Sequence, residues 1–504
     1  MSNIANFGAI PAPVRGWNAR DALASMRPDE AVKIENYIPS ATSVDLRQGS
    51  DTFVGEFAAP VETLIPFQSP LGAKLFAAAG TAIYDVTAGT KVPVVTGMAN
   101  ARWQYSSMSN AGGYWLHMVN GADYLQLSDG ATWESVTGVS THAITGVDTR
   151  KLINVCLHQS RLWFVEKDSC KVWYLGTNAI AGAATLFDLS SVFRGGGFLQ
   201  AMGSWTIDSG SGMDDHAAFI SSTGEIAIYQ GTDPSSISTW SLKGRYSVGA
   251  PIGYRCLEQY ASDLLIISQD GLLPMSKALA SSRVSTAVSL TDKINKPMAQ
   301  ATTDYASNFG WSVCLFPREN CLVVNIPVAS GGSEQFVMYT ITGAWTRFTN
   351  WHMNCMCRFG SKFYFGTNSA VVEGFVGTSD DGAGIYGECV TAFNYLKSTN
   401  VKDFTLAKLN LLVSGSPAIA LGIDVDFKVA NPDSLPTFSD TSAAIFDTAL
   451  WDVAVWGGEL AIVENWETVG AYGRCGAVHL QTNSLNSQIS WLSTDILFEV
   501  GGGL

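Results

Sequence analysis

Short apolar runs alternate with polar turns along most of the chain, and their spacing predicts strands. Ala217–Ser221 and Glu225–Gln230 are two such runs, joined by Ser222-Thr223-Gly224. A short glycine-containing loop between alternating hydrophobic segments is a β-hairpin signal. Gly231-Thr232-Asp233-Pro234 breaks the second run, and Trp240 opens a third that ends at Tyr246. Three strands in succession make most of one blade of a β-propeller, where four-stranded sheets repeat around an axis.

Comparable runs occur at Lys74–Gly80, Tyr114–Gly121, Arg161–Val165, Leu264–Ser268, Leu322–Pro327 and Lys362–Gly366. With Ala217–Ser221 they make seven, starting about 40 to 58 residues apart, the range of propeller repeats. Tryptophan also follows a turn twice, in Asp129-Gly130-Ala131-Thr132-Trp133 and Thr342-Gly343-Ala344-Trp345. Those indoles, and Trp240, are expected between neighbouring sheets. The pattern predicts an all-β chain with a propeller of about six to eight blades over residues 55–376.

The flanks read differently. Residues 1–54 form an arm or collar segment, with an extended Ile10–Val14. Pro28-Asp29-Glu30 predicts the start of a short helix, because proline suits the first helical position and carboxylates favour the N-terminal dipole. Ala31, Ile34 and Tyr37 would be its buried stripe, before a strand pattern begins at Val44–Arg47. A second helix is expected within 277–306, where Ser289 and Asp292 stand at capping-box spacing ahead of Ile294 and Met298. Lys277, Arg283, Lys293 and Lys296 make it locally basic, which reads first as a solvated helix face and second as a contact for phosphate or an acidic neighbour. Gly377–Gly387 is a turn-rich linker, and Val390–Asn394, Leu406–Val413, Ala418–Asp424, Val453–Trp456, Ala477–Gln481 and Ile489–Leu492 read as strands of a C-terminal β-sandwich over 377–504. The many acids between 424 and 467, opposed only by Lys428, read as solvent-facing turn residues.

Composition narrows the function. The net charge of −14 over 504 residues disfavours a broad face that grips nucleic-acid phosphates. Nine scattered cysteines do not suggest a disulfide framework, and a reducing compartment of folding is expected. The first residues lack a basic segment followed by an apolar one, so no signal peptide is expected, and no apolar run reaches the roughly 20 residues of a membrane span.

Candidate chemistry is sparse. Asp214-Asp215-His216 could suggest a metal or a general base, but it reads as loop ahead of a strand, and neighbours on an extended chain point in opposite directions. His352, Cys355 and Cys357 have no second ligand pair for zinc, and Cys314 and Cys321 read as small buried residues flanking a hairpin. Ser128–Trp133 is loosely like the aspartate-box turn of sialidases, one residue short and unrepeated, and no facing carboxylate pair stands out. Neither catalytic residues, a metal nor a cofactor is expected.

Gly16-Trp17-Asn18-Ala19-Arg20-Asp21, Met26-Arg27-Pro28, Asn36-Tyr37-Ile38-Pro39 and Leu46-Arg47-Gln48-Gly49 stand near the N-terminus. Val119-Asn120-Gly121-Ala122-Asp123, Arg161-Leu162-Trp163-Phe164, Tyr229-Gln230-Gly231-Thr232-Asp233-Pro234, Gly343-Ala344-Trp345, and then Trp491, Thr494 and Asp495 follow. Together they resemble the tail nozzle proteins of short-tailed bacteriophages, also called tail tubular protein B or packaged-DNA stabilisation proteins. The resemblance spans almost the whole chain. It implies a structural virion protein, made in the bacterial host cytoplasm and located in the tail. It also implies a homohexameric ring below a tail adaptor, with a tail fibre or tailspike and a plug or needle as further partners. Such a ring retains the packaged genome and lets the DNA pass at ejection.

A six-fold ring of this chain would meet DNA with its own sign of charge, and the acidic run makes Asp433, Asp440 and Asp447 candidates for the channel lining. The alternative is a propeller that binds glycans or hydrolyses glycosides, which would need carboxylates or a metal converging at one mouth of the propeller.

Overall fold

Every one of the seven predicted runs is the second strand of its own antiparallel sheet. They are Gly72–Ala79, Gly113–Val119, Arg161–Glu166, Met213–Ser221, Asp263–Ser268, Cys321–Pro327 and Lys362–Gly366. The computed structural model describes residues 5–501 apart from 71, 209–212, 237, 279–288, 329–330, 415–416, 433–460 and 464–465. Each sheet begins with the strand nearest the axis: Val61–Ser69, Gln104–Asn110, Leu152–His158, Leu199–Asp208, Leu257–Tyr260, Ser312–Phe316 and Cys355–Phe359. The fifth sheet has three strands, and the sixth continues beyond its four strands into the C-terminal part.

What holds the sheets in a ring is a separate apolar core between each successive pair. Phe67, Phe76 and Leu116 fill the space between the first and second sheets; Trp163, Phe219 and Trp240 fill that between the third and fourth. Val61, Leu64, Cys355, Cys357 and Tyr364 join the seventh sheet back to the first. Each fully buried aliphatic or aromatic side chain contributes about 1.5–3 kcal/mol, so the ring is favoured over separate sheets. The closing strand comes from the arm: Ser50–Val54 pairs antiparallel with Val371–Gly374, giving the last sheet an outer strand from the other end of the chain. Closure of this kind leaves only short exposed edges.

The expected helix after Pro28 is a strand instead. Ala31–Glu35 pairs with Ile385–Thr391, and a bulge between Ala31 and Lys33 inserts one extra residue. That bulge puts Ala31 and Ile34, three apart, on one buried face, which imitates a helical stripe. Tyr37 is also buried, beyond Asn36 at φ 57°.

The second helix is present as Asn295–Tyr305, with Ile294 and Met298 buried, but the capping box is absent. Ser289 Oγ bonds to Thr291 Oγ1 and donates to the Leu272 carbonyl of the strand Gly271–Pro274, and Asp292 turns to Arg20.

Behind the sixth sheet lies a β-sandwich. One layer extends that sheet through Ala31–Glu35, Ile385–Thr391, Gly476–Ser484 and Ala418–Val425. The facing layer is built on the long strands Lys402–Val413 and Ile489–Val500, with Ala5–Pro11 and Val44–Leu46 of the arm added to the latter. Ile10, Tyr37, Phe404, Leu411, Leu480, Trp491 and Phe498 fill the space between the layers. Trp466–Gly473, a strand the sequence pattern did not mark, pairs with Lys402–Val413.

Candidate functional site

Among the described residues, polar side chains gather beneath the surface at the propeller axis, at the seam where arm, propeller and sandwich meet, and in one layer of the sandwich. On the axis, residues of all seven first strands or their approaches enclose a cavity of about 310 Å³. Thr63, Tyr105, Asn154, Arg255, Glu258 and Ser312 supply its polar lining. Arg255 Nη2 donates to Thr63 Oγ1 at 2.6 Å and to the Trp103 carbonyl at 3.2 Å. Glu258 Oε1 accepts from the Leu315 amide at 3.2 Å.

Toward one mouth a second cavity of about 230 Å³ contains Phe309, whose ring lies 4.3 Å from the Arg102 guanidinium carbon and 5.2 Å from that of Arg255. Burial pushes the Glu258 carboxyl up to about 7, against the Leu315 amide and the charge of Arg358, which favour ionisation. Burial likewise pulls Arg255 below an ordinary arginine.

The seam turns on Arg47. Its guanidinium is fully buried and forks onto Asp380, with Nε donating to Asn36 Oδ1 at 2.9 Å and Nη1 to the Gln48 carbonyl at 2.9 Å. Trp351 stacks 4.5 Å from the guanidinium carbon and donates its indole N–H to Asp380 Oδ1 at 3.0 Å. Asn36 reaches onward to Thr349 Oγ1 and the Tyr386 carbonyl. Gly49 lies so close to Ser379 that a Cβ there would meet its carbonyl oxygen at 1.8 Å.

A second cluster fixes the start of the arm. Asn18 bridges Asp21 and Glu30, Arg20 pairs with Asp21 and Asp292, and Lys293 spans Asp21 at 3.0 Å and Glu30 at 2.7 Å. At Lys293 the second reading of the basic patch therefore holds: its ammonium contacts the acidic neighbours Asp21 and Glu30 and does not sit on a merely solvated face. The Asp21 carboxyl sits far below its usual range, first because Arg20 donates to it and then because Asn18 and Lys293 do.

A third polar chain runs across neighbouring strands of one layer of the sandwich. His479 Nδ1 lies 3.0 Å from Asp424 and Nε2 3.1 Å from Glu388, which Lys33 Nζ approaches to 2.9 Å. Asp424 is thus a buried partner of His479 and not one of the solvent-facing acids expected of its stretch. Burial disfavours charge on His479, yet its hydrogen bonds to Asp424 and Glu388 prevail and raise it to about 9. Glu388 is depressed to about 2, since the bonds from His479 and Lys33 outweigh its burial.

Asp433, Asp440 and Asp447, the channel candidates, lie outside the described residues, as do Arg283 and the strand expected at 453–456. Asp214, Asp215 and His216 stand within the strand Met213–Ser221 and not in a loop before it; Asp215 accepts from Thr206 at 2.7 Å. Cys314, Cys321, Cys355 and Cys357 are buried and His352 is exposed. Among the described residues no group of three or more His, Cys, Asp or Glu could hold a metal ion. The sequence reading missed Arg255 and Glu258, which no local motif marks; only ring closure brings them onto one axis.

No family model and no curated protein matches the chain. Among solved structures it is similar to the computationally designed protein Ika8, with 11% identity over 65% of this chain and 100% of that one, at a TM-score of 0.37. It is also similar to BBS1N, solved in complex with ARL6DN, with 10% identity over 68% of this chain and 99% of that one, at 0.39. The extracellular domain of the one-component system BT4673 from B. thetaiotaomicron gives 9% identity over 75% and 44%, at 0.34. Likenesses this slight say nothing about function.

Proposed function

We propose that this chain is a structural subunit of the tail nozzle of a short-tailed bacteriophage. In this reading six copies form a ring below the adaptor, hold the packaged genome and pass it at ejection. The observation that carries the proposal is where the nozzle-like stretches go. Trp17-Asn18-Ala19-Arg20-Asp21, Asn36 and Leu46-Arg47-Gln48-Gly49 make the networks that lock the arm against propeller and sandwich. Arg161 and Asp233, from two further stretches, approach to 3.8 Å between the third and fourth sheets. Trp491 Nε1 donates to Thr494 Oγ1 at 3.1 Å inside the sandwich. Residues that fix a relative placement of parts suit a protein whose work is to hold shape under load.

The axis limits where DNA could pass in this reading. Its cavity of about 310 Å³, with Phe309 toward one mouth, has no room for a duplex whose major groove alone is about 12 Å wide. A DNA passage would therefore run between copies. Adaptor, fibre or tailspike, and plug are the partners proposed with it. Light scattering on the full chain, alone and with the adaptor made alongside it, tests the reading. A six-copy species on the adaptor is expected, together with weak binding of duplex DNA at low salt. A chain that stays monomeric with its adaptor, or that binds DNA tightly, contradicts it.

A further inference from the structure

Arg255 is half-buried on the wall of the axial cavity, with only neutral hydrogen-bond partners among the described residues, Thr63 Oγ1 and the Trp103 carbonyl. Both bonds use Nη2, so Nε and Nη1 make no hydrogen bond within the described residues. A guanidinium keeps its proton even where burial disfavours it. Half-buried beside this cavity, the guanidinium has lost part of its hydration without gaining a counter-ion, a cost that an anion in the cavity would offset. No acid of the described residues forms an ion pair with Arg255; Glu62 on the neighbouring strand is paired with Arg102 at 3.0 Å. The space beside Arg255 is a cavity of about 310 Å³, on the order of ten water volumes, with more polar than apolar lining.

We propose that the axial cavity is a binding site for a small organic carboxylate, which takes the uncommitted N–H groups of Arg255 and reaches Tyr105 and Glu258 with its remaining polar atoms. Arginine suits this role because its several N–H groups can serve both oxygens of one carboxylate. The Tyr105 phenol lines the same cavity and donates without charge. Phe309, stacked on Arg255 toward the mouth, shields that contact from bulk water.

Glu258 sets the pH behaviour. The titratable groups around it are Tyr105, Cys314 and Arg358, with Arg255 further along the cavity. Burial pushes the Tyr105 phenol and the Cys314 thiol up, so both stay neutral near pH 7. Glu258, raised to about 7, is the one that changes charge there. Protonated, it donates to the ligand; ionised, it repels an anion. Affinity therefore falls as pH rises through 7, by up to about tenfold per pH unit for one coupled proton. The site is independent of the nozzle reading, because binding is read on the isolated chain whatever its oligomeric state.

Isothermal titration calorimetry on the purified full chain, with sodium acetate, succinate and citrate as probes and succinamide as the neutral control, tests the site. At least one carboxylate is expected to bind saturably at one site per chain, while succinamide does not. Arg255→Gln should weaken binding about tenfold or more, as expected for a charge-assisted contact. Tyr105→Phe, which keeps the ring and therefore the fold, should weaken it severalfold. Glu258→Gln should keep binding and flatten its fall between pH 6 and 8. Absence of binding by all three carboxylates overturns the proposal. So does equal affinity in wild type and Tyr105→Phe together with Arg255→Gln, or succinamide binding as tightly as succinate.

Discussion

Arg47 and Asp380, 333 residues apart in sequence, form a forked ion pair with Nη1–Oδ1 at 2.9 Å and Nη2–Oδ2 at 2.6 Å. It closes the seam between an arm that opens the chain and a turn that precedes the sandwich. Removing one partner leaves the other buried and uncompensated, which costs about 3–5 kcal/mol. Asp380→Ala should lower the unfolding free energy by about that amount in a urea titration. A loss below about 1 kcal/mol would mean that the pair behaves as an exposed one.

The same pair changes what proteolysis should find. The glycine-rich stretch after 376 reads in sequence as an open linker, yet Gly49 N–H donates to the Gly377 carbonyl and Asp381 N–H to Ser50. Limited Asp-N or proteinase K digestion followed by mass spectrometry should therefore show little cutting between 377 and 384 in the native protein, where Asp380 and Asp381 offer sites. Cutting there should appear in Arg47→Ala. Rapid cleavage of the unaltered chain in this stretch would show that these bonds do not hold it.

How much of this was legible follows from the range of the interactions. The seven second strands could be read because each is a short apolar run flanked by its own turns. Ala31 and Ile34 misled because a bulge shifts the two-residue period of a strand to three. Asp292 misled because its partner Arg20 lies 272 residues away, and a local capping box is all that the spacing could suggest. Arg47 and Asn36 stood in stretches marked by resemblance, but their roles depend on Asp380 and Tyr386, brought near only by the completed fold. Arg255 and Glu258 carried no local signal at all.

Trp240 tests the packing between blades. Its indole stacks on Trp163 at 5.5 Å and on Tyr229 at 5.7 Å, and Nε1 has no hydrogen-bond partner among the described residues. Its contribution is therefore packing alone, and Trp240→Ala should cost about 3–5 kcal/mol by thermal or urea unfolding. Trp240→Phe, which keeps a stacked ring, should cost less. An unchanged melting temperature in the alanine variant would refute an anchoring role.

The Lys33–Glu388–His479–Asp424 chain predicts a two-sided pH dependence. His479 is raised from an ordinary 6.5 to about 9, so its stabilisation is complete below 6.5 and is lost as pH rises through 9. Glu388 is lowered from 4.5 to about 2, so its stabilisation is complete above 4.5 and is lost as pH falls toward 2. Stability attributable to this chain should therefore be greatest between about pH 4.5 and 6.5. His479→Gln should remove the alkaline loss; the same alkaline slope in wild type and variant would assign it to other groups.

Electron cryo-microscopy of the chain assembled on its adaptor, in particles that retain DNA, tests the central claim most directly. The account predicts six copies around one pore, duplex density running between copies, and every seven-sheet axis closed with Phe309 toward its mouth. A map with single unassociated copies, or with nucleic acid threaded along a propeller axis, would contradict it.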